Sequence, residues 1–257
     1  MTTHAIPDTR PAAETGRDDG AGAEVARLSR ARARAGDASG LDLLELVLRQ
    51  RIAGRVALVS SFGAESVVLL HLAARVDRSV PVIFLDTGKH FAETLAYRRA
   101  LADRLGLTNV LDIQPAAEDL ARFDAGGTLW RGDPDFCCHI RKTEPLDRAL
   151  TRLGGGFDGW ITGRKRFQGA SRQALPAIEL DRATGRLKVN PLATWSAEDV
   201  QRYLAAHDLP VHPLLGRGYR SIGCAPCTRA VRPGEDARAG RWSWLDKSEC
   251  GIHAPTA

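Results

Sequence analysis

The chain reads as an α/β protein with a mostly parallel, twisted sheet and helices on both faces. Three observations predict this. Short apolar runs recur at 56–62, 80–85, 109–113 and 159–162, the pattern of strands buried on both faces. Stretches with helical apolar spacing lie between them, as strand–helix–strand units require. The 257 residues suffice for one sizeable core without disulfide staples.

The elements follow in order. Residues 1–38 are rich in Ala, Arg, Asp, Gly and Thr and poor in large apolar side chains. Such a segment buries too little surface to offset the entropy of ordering, so a disordered tail is expected, with a short helix near 25–34. Leu41, Leu44, Val47 and Leu48 recur at helical spacing and open the domain. Helices are predicted over 65–76, 91–105 and 138–153. The segments 178–180 and 187–189 read as a hairpin. Ser196, three residues before Asp199, has the spacing of a capping box and starts a helix to about 206. After Pro210 the chain is irregular.

Composition narrows the function classes. The net charge of +5 suits an anionic ligand or an acidic partner. Aromatic residues make up only 6% of the chain, few for a nucleic-acid stacking surface, so no nucleic-acid partner is expected. No apolar run approaches membrane-spanning length, and the N-terminus lacks a secretory signal, so no membrane association is expected. The five Cys are odd in number and clustered, which fits a reducing, cytoplasmic location with metal-bound or catalytic thiols.

Three groups of residues carry chemistry. The first is the small-residue loop 60–66, with Ser60, Ser61 and Gly63, between a strand and its helix. There backbone N–H groups can face an anion. It lacks the Gly-Lys-Ser/Thr of a Walker loop and the spaced glycines of a dinucleotide fingerprint. Asp86 and Thr87, in Leu85-Asp86-Thr87-Gly88, end a second strand, where either a nucleotide contact or a simple cap and turn would fit. The second group is Cys137-Cys138 with Cys224-Ala225-Pro226-Cys227. Four thiolates in two pairs suit a tetrahedral zinc or an iron–sulfur cluster. Adjacent side chains diverge, so both can ligate only if the centre is broad or the backbone distorted, which favours the cluster. Lys142 follows at a distance that can face either the cluster or a ligand phosphate. The third group is C-terminal: Arg238 and Arg241, suited to sulfate or phosphate oxygens, then Cys250 beside His253, a cation that would favour thiolate.

Taken in order, these motifs resemble the assimilatory adenylyl-sulfate reductases, the iron–sulfur branch of the phosphoadenylyl-sulfate reductase family, over residues 41–254. The terminal Glu249-Cys250-Gly251-Ile252-His253 and the two Cys pairs are the most specific features. One departure is Asp135-Phe136, where many relatives carry His-Glu. The resemblance implies a fold of the adenine nucleotide alpha hydrolase-like, PP-loop type, with a nucleotide- and cluster-binding domain at 39–227 and an Arg loop and catalytic tail at 228–257. It implies a [4Fe-4S] cluster on Cys137, Cys138, Cys224 and Cys227. Ser60, Ser61, Gly63, Asp86, Thr87, Lys142, Arg238, Arg241 and His253 would bind substrate, and Cys250 would be the catalytic thiol. The implied reaction is thioredoxin-dependent reduction of adenosine 5′-phosphosulfate to sulfite and AMP, in sulfate assimilation and cysteine biosynthesis. The oligomeric state stays open, a homo-oligomer included. The competing readings are a reductase of the 3′-phosphorylated nucleotide, a PP-loop ligase or RNA thiolase, and a zinc or cluster regulator.

Overall fold

The computed structural model describes residues 18–182, 184–245, 247, 249 and 251–253. Strands β1 (Val56–Val59), β2 (Val82–Leu85), β3 (Val110–Ile113), β4 (Gly159–Ile161), β5 (Ile178–Asp181) and β6 (Arg186–Val189) form one sheet in the order β3-β2-β1-β4-β6-β5. All neighbours are parallel except the β5–β6 hairpin. The helices are α1 (Asp18–Ala35), α2 (Gly40–Leu48), α3 (Ser66–Val76), α4 (Ala92–Leu105), α5 (Ala117–Phe123), α6 (Leu129–Gly132), α7 (Pro134–Cys138), α8 (Glu144–Arg152) and α9 (Ala197–Ala206).

The two-residue period of the strands sorts the core into two layers. Leu58, Val82, Phe84 and Ile161 face one side, against Leu44 of α2, Val68 and Leu72 of α3, Leu101 of α4 and Val200 of α9. Ala57, Ile83, Leu85 and Trp160 face the other, against Leu146 and Leu150 of α8. Full burial of each such side chain contributes about 1.5–3 kcal/mol. The expected capping box is present: Asp199 N–H donates to Ser196 Oγ at 3.1 Å, and Ser196 N–H donates to Asp199 Oδ2 at 2.9 Å. No helix among the described residues is long and apolar enough to cross a membrane.

The short helix expected near 25–34 within the tail is longer, with residues 18–35 forming α1. Its Ala31 and Ala35 are buried, and Leu28 packs on the core. Arg32 Nε donates to Ile178 O at 2.9 Å, and Arg27 donates to Gly185 O. Ala and Arg are strong helix formers, and small Ala side chains allow close approach. Composition alone therefore understates what this segment buries. Helices α5 to α7 were not anticipated; α5 and α6 are short and bury none of their side chains.

A buried histidine closes the fold near the site. His212 is fully buried; Leu214 N–H donates to its Nδ1 at 3.2 Å, and its Nε2 lies 3.0 Å from Thr94 Oγ1. The ring is therefore the neutral Nε2–H tautomer. Burial lowers its pKa to about 4, with Glu93 opposing. The unfolded chain binds the proton first, so stability is full above about 6.5 and falls as the pH drops toward 4, by up to about 3 kcal/mol. His212→Asn, which keeps an acceptor for Leu214, should flatten that part of the pH–stability curve in urea unfolding.

Candidate active site

The chain runs outward from β1 to β2 and β3, then crosses back to β4 on the other side of β1, so the strand order reverses between β1 and β4. That is a topological switch point, where parallel sheets bind ligands beyond the strands' carboxyl ends. A cavity of about 270 Å³ opens there. Ser60, Ser61 and Gly63 from the loop after β1 line it, with Thr87 after β2, Thr162 after β4, and Lys142. The loop is tightly held. Ser60 Oγ accepts from Phe62 N–H at 3.1 Å, and Phe62 has a left-handed backbone at φ 49°. That conformation is costly for a bulky residue. Its fully buried ring, edge-on to Phe84 at 5.6 Å, offsets the cost. A Cβ on Gly63 would sit 3.3 Å from Ile222 O, so this position brings the loop against the chain that leads to Cys224.

Asp86 is not among the residues lining the cavity; its Oδ1 accepts from Gly88 N–H at 3.1 Å and its Oδ2 from Gln114 at 3.4 Å, within a turn that has Gly88 at φ 67°. Thr87 is buried, and its Oγ1 lies 3.3 Å from Cys224 Sγ.

The four predicted ligand cysteines are buried and none forms a disulfide. Cys138, Cys224 and Cys227 pack with Trp242 and Trp130. The expected backbone distortion lies directly after the adjacent pair: residues His139–Thr143 form a π-helical turn between α7 and α8. Such turns insert one residue into a helix and re-aim its side chains. Lys142 sits on this turn and lines the cavity. Burial alone would raise the Cys224 pKa, but Lys142, Thr87 and Arg241 lower it overall. Burial raises Cys137, and pushes Cys227 up to about 11. Among the described residues, no three His, Cys, Asp or Glu gather as ligands to one metal ion. Trp242 Nε1 and Arg241 Nε are buried without a hydrogen-bond partner among the described residues. Arg241 lies over the Trp242 ring at 4.4 Å and against Gly223, where a Cβ would collide with its guanidinium. Behind the cysteines, Arg141 bonds Asp124 at 2.5 Å and Thr87 O at 2.7 Å, a buried pair that fixes the Thr87 turn.

The C-terminal residues form part of the cavity wall. Cys250 lies outside the described residues. On either side of it in sequence, Glu249 is held by Arg172 and Arg238, and Ile252 O accepts from Lys188 Nζ at 3.1 Å. His253 stacks on Trp160, with ring centroids 5.8 Å apart. It is not the cation expected from sequence: burial first, then Lys188, Arg164, Arg172 and Arg238, lower its pKa well below 6.5. The departure Asp135-Phe136 stays outside the cavity; Asp135 pairs with Lys247, and Phe136 is edge-on to Phe123 at 5.2 Å. Sequence reading did not single out Arg172, or the buried Lys165, whose Nζ is 2.9 Å from Glu65 in the loop. The only signal was the run of cations after β4, Arg164-Lys165-Arg166.

The comparisons agree with this geometry. Residues 55–230, more than half of the chain, match the phosphoadenosine phosphosulfate reductase domain. An adenosine 5′-phosphosulfate reductase of Mesorhizobium japonicum is 50% identical over 92% of this chain and 89% of its own length. Its counterpart in a Chelativorans species is 50% identical over 87% of this chain and 89% of its own length. Among solved structures, a phosphoadenylyl-sulfate reductase from Candida auris in complex with phosphate has a TM-score of 0.63 and 28% identity, covering 79% of this chain and 96% of that one. Fold, cavity and relatives converge: the chain belongs to the phosphoadenosine phosphosulfate reductase family.

Proposed function

We propose that the chain reduces adenosine 5′-phosphosulfate to sulfite and AMP, with Cys250 as nucleophile and thioredoxin as reductant. One observation carries the reading. The anion-type loop, Lys142, Arg238, Arg241, Glu249 and Ile252 meet at a single cavity, which the buried Cys224 also lines. The names of the 50% identical relatives support the non-phosphorylated nucleotide over the 3′-phosphorylated one.

The residues present fit an iron–sulfur cluster of the [4Fe-4S] type. Four buried thiols supply the ligands, the π turn after the adjacent pair accommodates two neighbouring donors, and the unpartnered Trp242 N–H packs among them. Cys137, Cys138, Cys224 and Cys227 would hold it, and it would order the site and set its charge rather than carry electrons. Lys142 then stands between the thiols and the cavity, where one ammonium serves both.

Ser60, Ser61 and Gly63 place the nucleotide at the sheet edge, and Lys142, Arg238 and Arg241 bind the phosphosulfate. The Cys250 thiolate attacks the sulfur. A sulfur–sulfur bond forms, the sulfur–oxygen bond to phosphate breaks, and AMP leaves with the electron pair. This splits one hard reduction into two easier displacements. The cations offset negative charge that builds on both the sulfuryl and the leaving phosphate. A thioredoxin thiolate then attacks Cys250 Sγ and sulfite leaves. The second thioredoxin thiol breaks the mixed disulfide and restores the Cys250 thiolate. Such chemistry belongs in the cytoplasm, where thiols stay reduced.

The test is an anaerobic sulfite-release assay with reduced thioredoxin and each nucleotide. Adenosine 5′-phosphosulfate should be turned over at least a hundredfold more efficiently, in kcat/KM, than its 3′-phosphorylated form. The reverse preference would leave the thiol chemistry standing and reject the substrate.

A further inference from the structure

We propose that Glu249 is a positioning residue for the Cys250 thiol, its carboxylate seated in a guanidinium socket of Arg172 and Arg238. This rests on Cys250 being the nucleophile. Arg172 meets the carboxylate as a fork: Nε donates to Oε1 at 2.6 Å and Nη2 to Oε2 at 2.7 Å. Two parallel charge-assisted bonds fix orientation as well as distance. The socket is built beforehand, because Gln168 Oε1 accepts from Arg172 Nη1 at 2.6 Å. Only 8% of the Arg172 side chain and 10% of the Glu249 side chain are exposed. The pair is therefore shielded from the screening that weakens surface ion pairs. Burial opposes ionisation of Glu249, but Arg172, Arg238 and Arg164 outweigh it and keep the carboxylate charged.

A second anchor lies beyond Cys250 in sequence. Lys188 holds Ile252 O, His253 stacks on Trp160, and a Cβ on Gly251 would come 2.8 Å from Thr143 Oγ1. The chain is thus pinned to β6 and β4 on that side and to the turn after β4 on the other. Without Glu249 the second anchor remains, but the segment before it can swing.

The socket is not symmetric. Arg172 holds Glu249 through two short bonds, whereas Arg238 lies farther from it, at 3.3 Å among the described residues. Arg238 also lines the cavity and is a proposed sulfate or phosphate ligand. An anionic substrate can draw Arg238 away while Arg172 keeps the tail in place. Glu249 and the nucleotide therefore compete for one guanidinium, and neutralising Glu249 leaves more positive charge for the nucleotide.

The experiment uses the full-length, cluster-loaded protein with Glu249→Gln, Glu249→Asp and Arg172→Gln. Three readouts are taken: the rate at which substrate without thioredoxin adds SO₃ to the protein, by intact mass; AMP affinity, by calorimetry; and carboxypeptidase cleavage of the C-terminus. Glu249→Gln and Arg172→Gln should slow adduct formation at least tenfold and speed C-terminal cleavage. AMP should bind Glu249→Gln as tightly as wild type or more tightly, and Glu249→Asp should recover part of the rate. A purely structural role would instead weaken AMP binding together with adduct formation, and that result overturns the proposal. So does wild-type adduct rate and cleavage in Glu249→Gln. If wild type forms no adduct, the nucleophile reading fails, and the cleavage arm still reports whether Glu249 holds the tail.

Discussion

Cys250→Ser should lose sulfite release by a factor on the order of a thousand or more while keeping iron content and AMP binding. A Ser hydroxyl is protonated at neutral pH, and any sulfate ester it formed would present no enzyme sulfur for the thioredoxin thiolate to attack. Wild type mixed with substrate alone should gain one SO₃ group by intact mass, and reduced thioredoxin should remove it as sulfite. The expectation comes from placement. Cys250 lies outside both cysteine pairs, and its sequence neighbours Glu249 and Ile252 line the cavity that the loop after β1 also lines. A structural thiol there would predict near-normal turnover and no adduct. Iron must be measured on the same sample, because losing the ligand group would also silence the enzyme. An iron-replete Cys250→Ser protein with wild-type rate refutes the mechanism.

The second large effect is expected at Cys224. It is buried, within 3.3 Å of Thr87 Oγ1, and against its burial Lys142, Thr87 and Arg241 lower its pKa. Anaerobically purified wild type should be brown and hold about four irons per chain. Cys224→Ser should lose most of the colour and iron. Its melting temperature should fall by about 10 °C, the equivalent of about 3 kcal/mol in a protein of this size. The reason is local. Cys138, Cys224, Cys227 and Trp242 form their own small packed cluster, apart from the two layers on the sheet. Stoichiometric zinc in anaerobically prepared protein, or a colour that survives the substitution, would count against the assignment.

Most of the sheet was legible because its strands are buried on both faces, which leaves continuous apolar runs such as Val82–Leu85. The grouping of the cysteines was legible for a different reason. Two pairs of thiols with a short internal spacing are rare by chance, and the adjacency of Cys137 and Cys138 called for either a broad centre or a distorted backbone; a π turn follows the pair at His139–Thr143. Asp86 stayed open in the sequence because an Asp two residues before a Gly at a strand end serves a turn as readily as a ligand; here its Oδ1 accepts from Gly88 N–H. His253 misled because a histidine's charge depends on its surroundings; burial first, then Lys188, Arg164, Arg172 and Arg238, lower its pKa, and most of those cations come from distant parts of the chain. Arg172 was invisible for the same reason, since its partner Glu249 lies 77 residues away. Long-range ion pairs leave no periodic trace.

Helix α1 has a consequence for how the molecule behaves among its copies. The hairpin strand β5 ends the sheet, and an open sheet edge is a template on which another chain can add a strand. Arg32 occupies the carbonyl of Ile178 on that strand, Arg27 that of Gly185 in the hairpin turn, and the helix lies along β5. The Ala- and Arg-rich stretch is in this sense a guard against self-association. A chain trimmed to start at residue 39 would keep every residue named in the cavity and yet present a bare, sticky border to its neighbours.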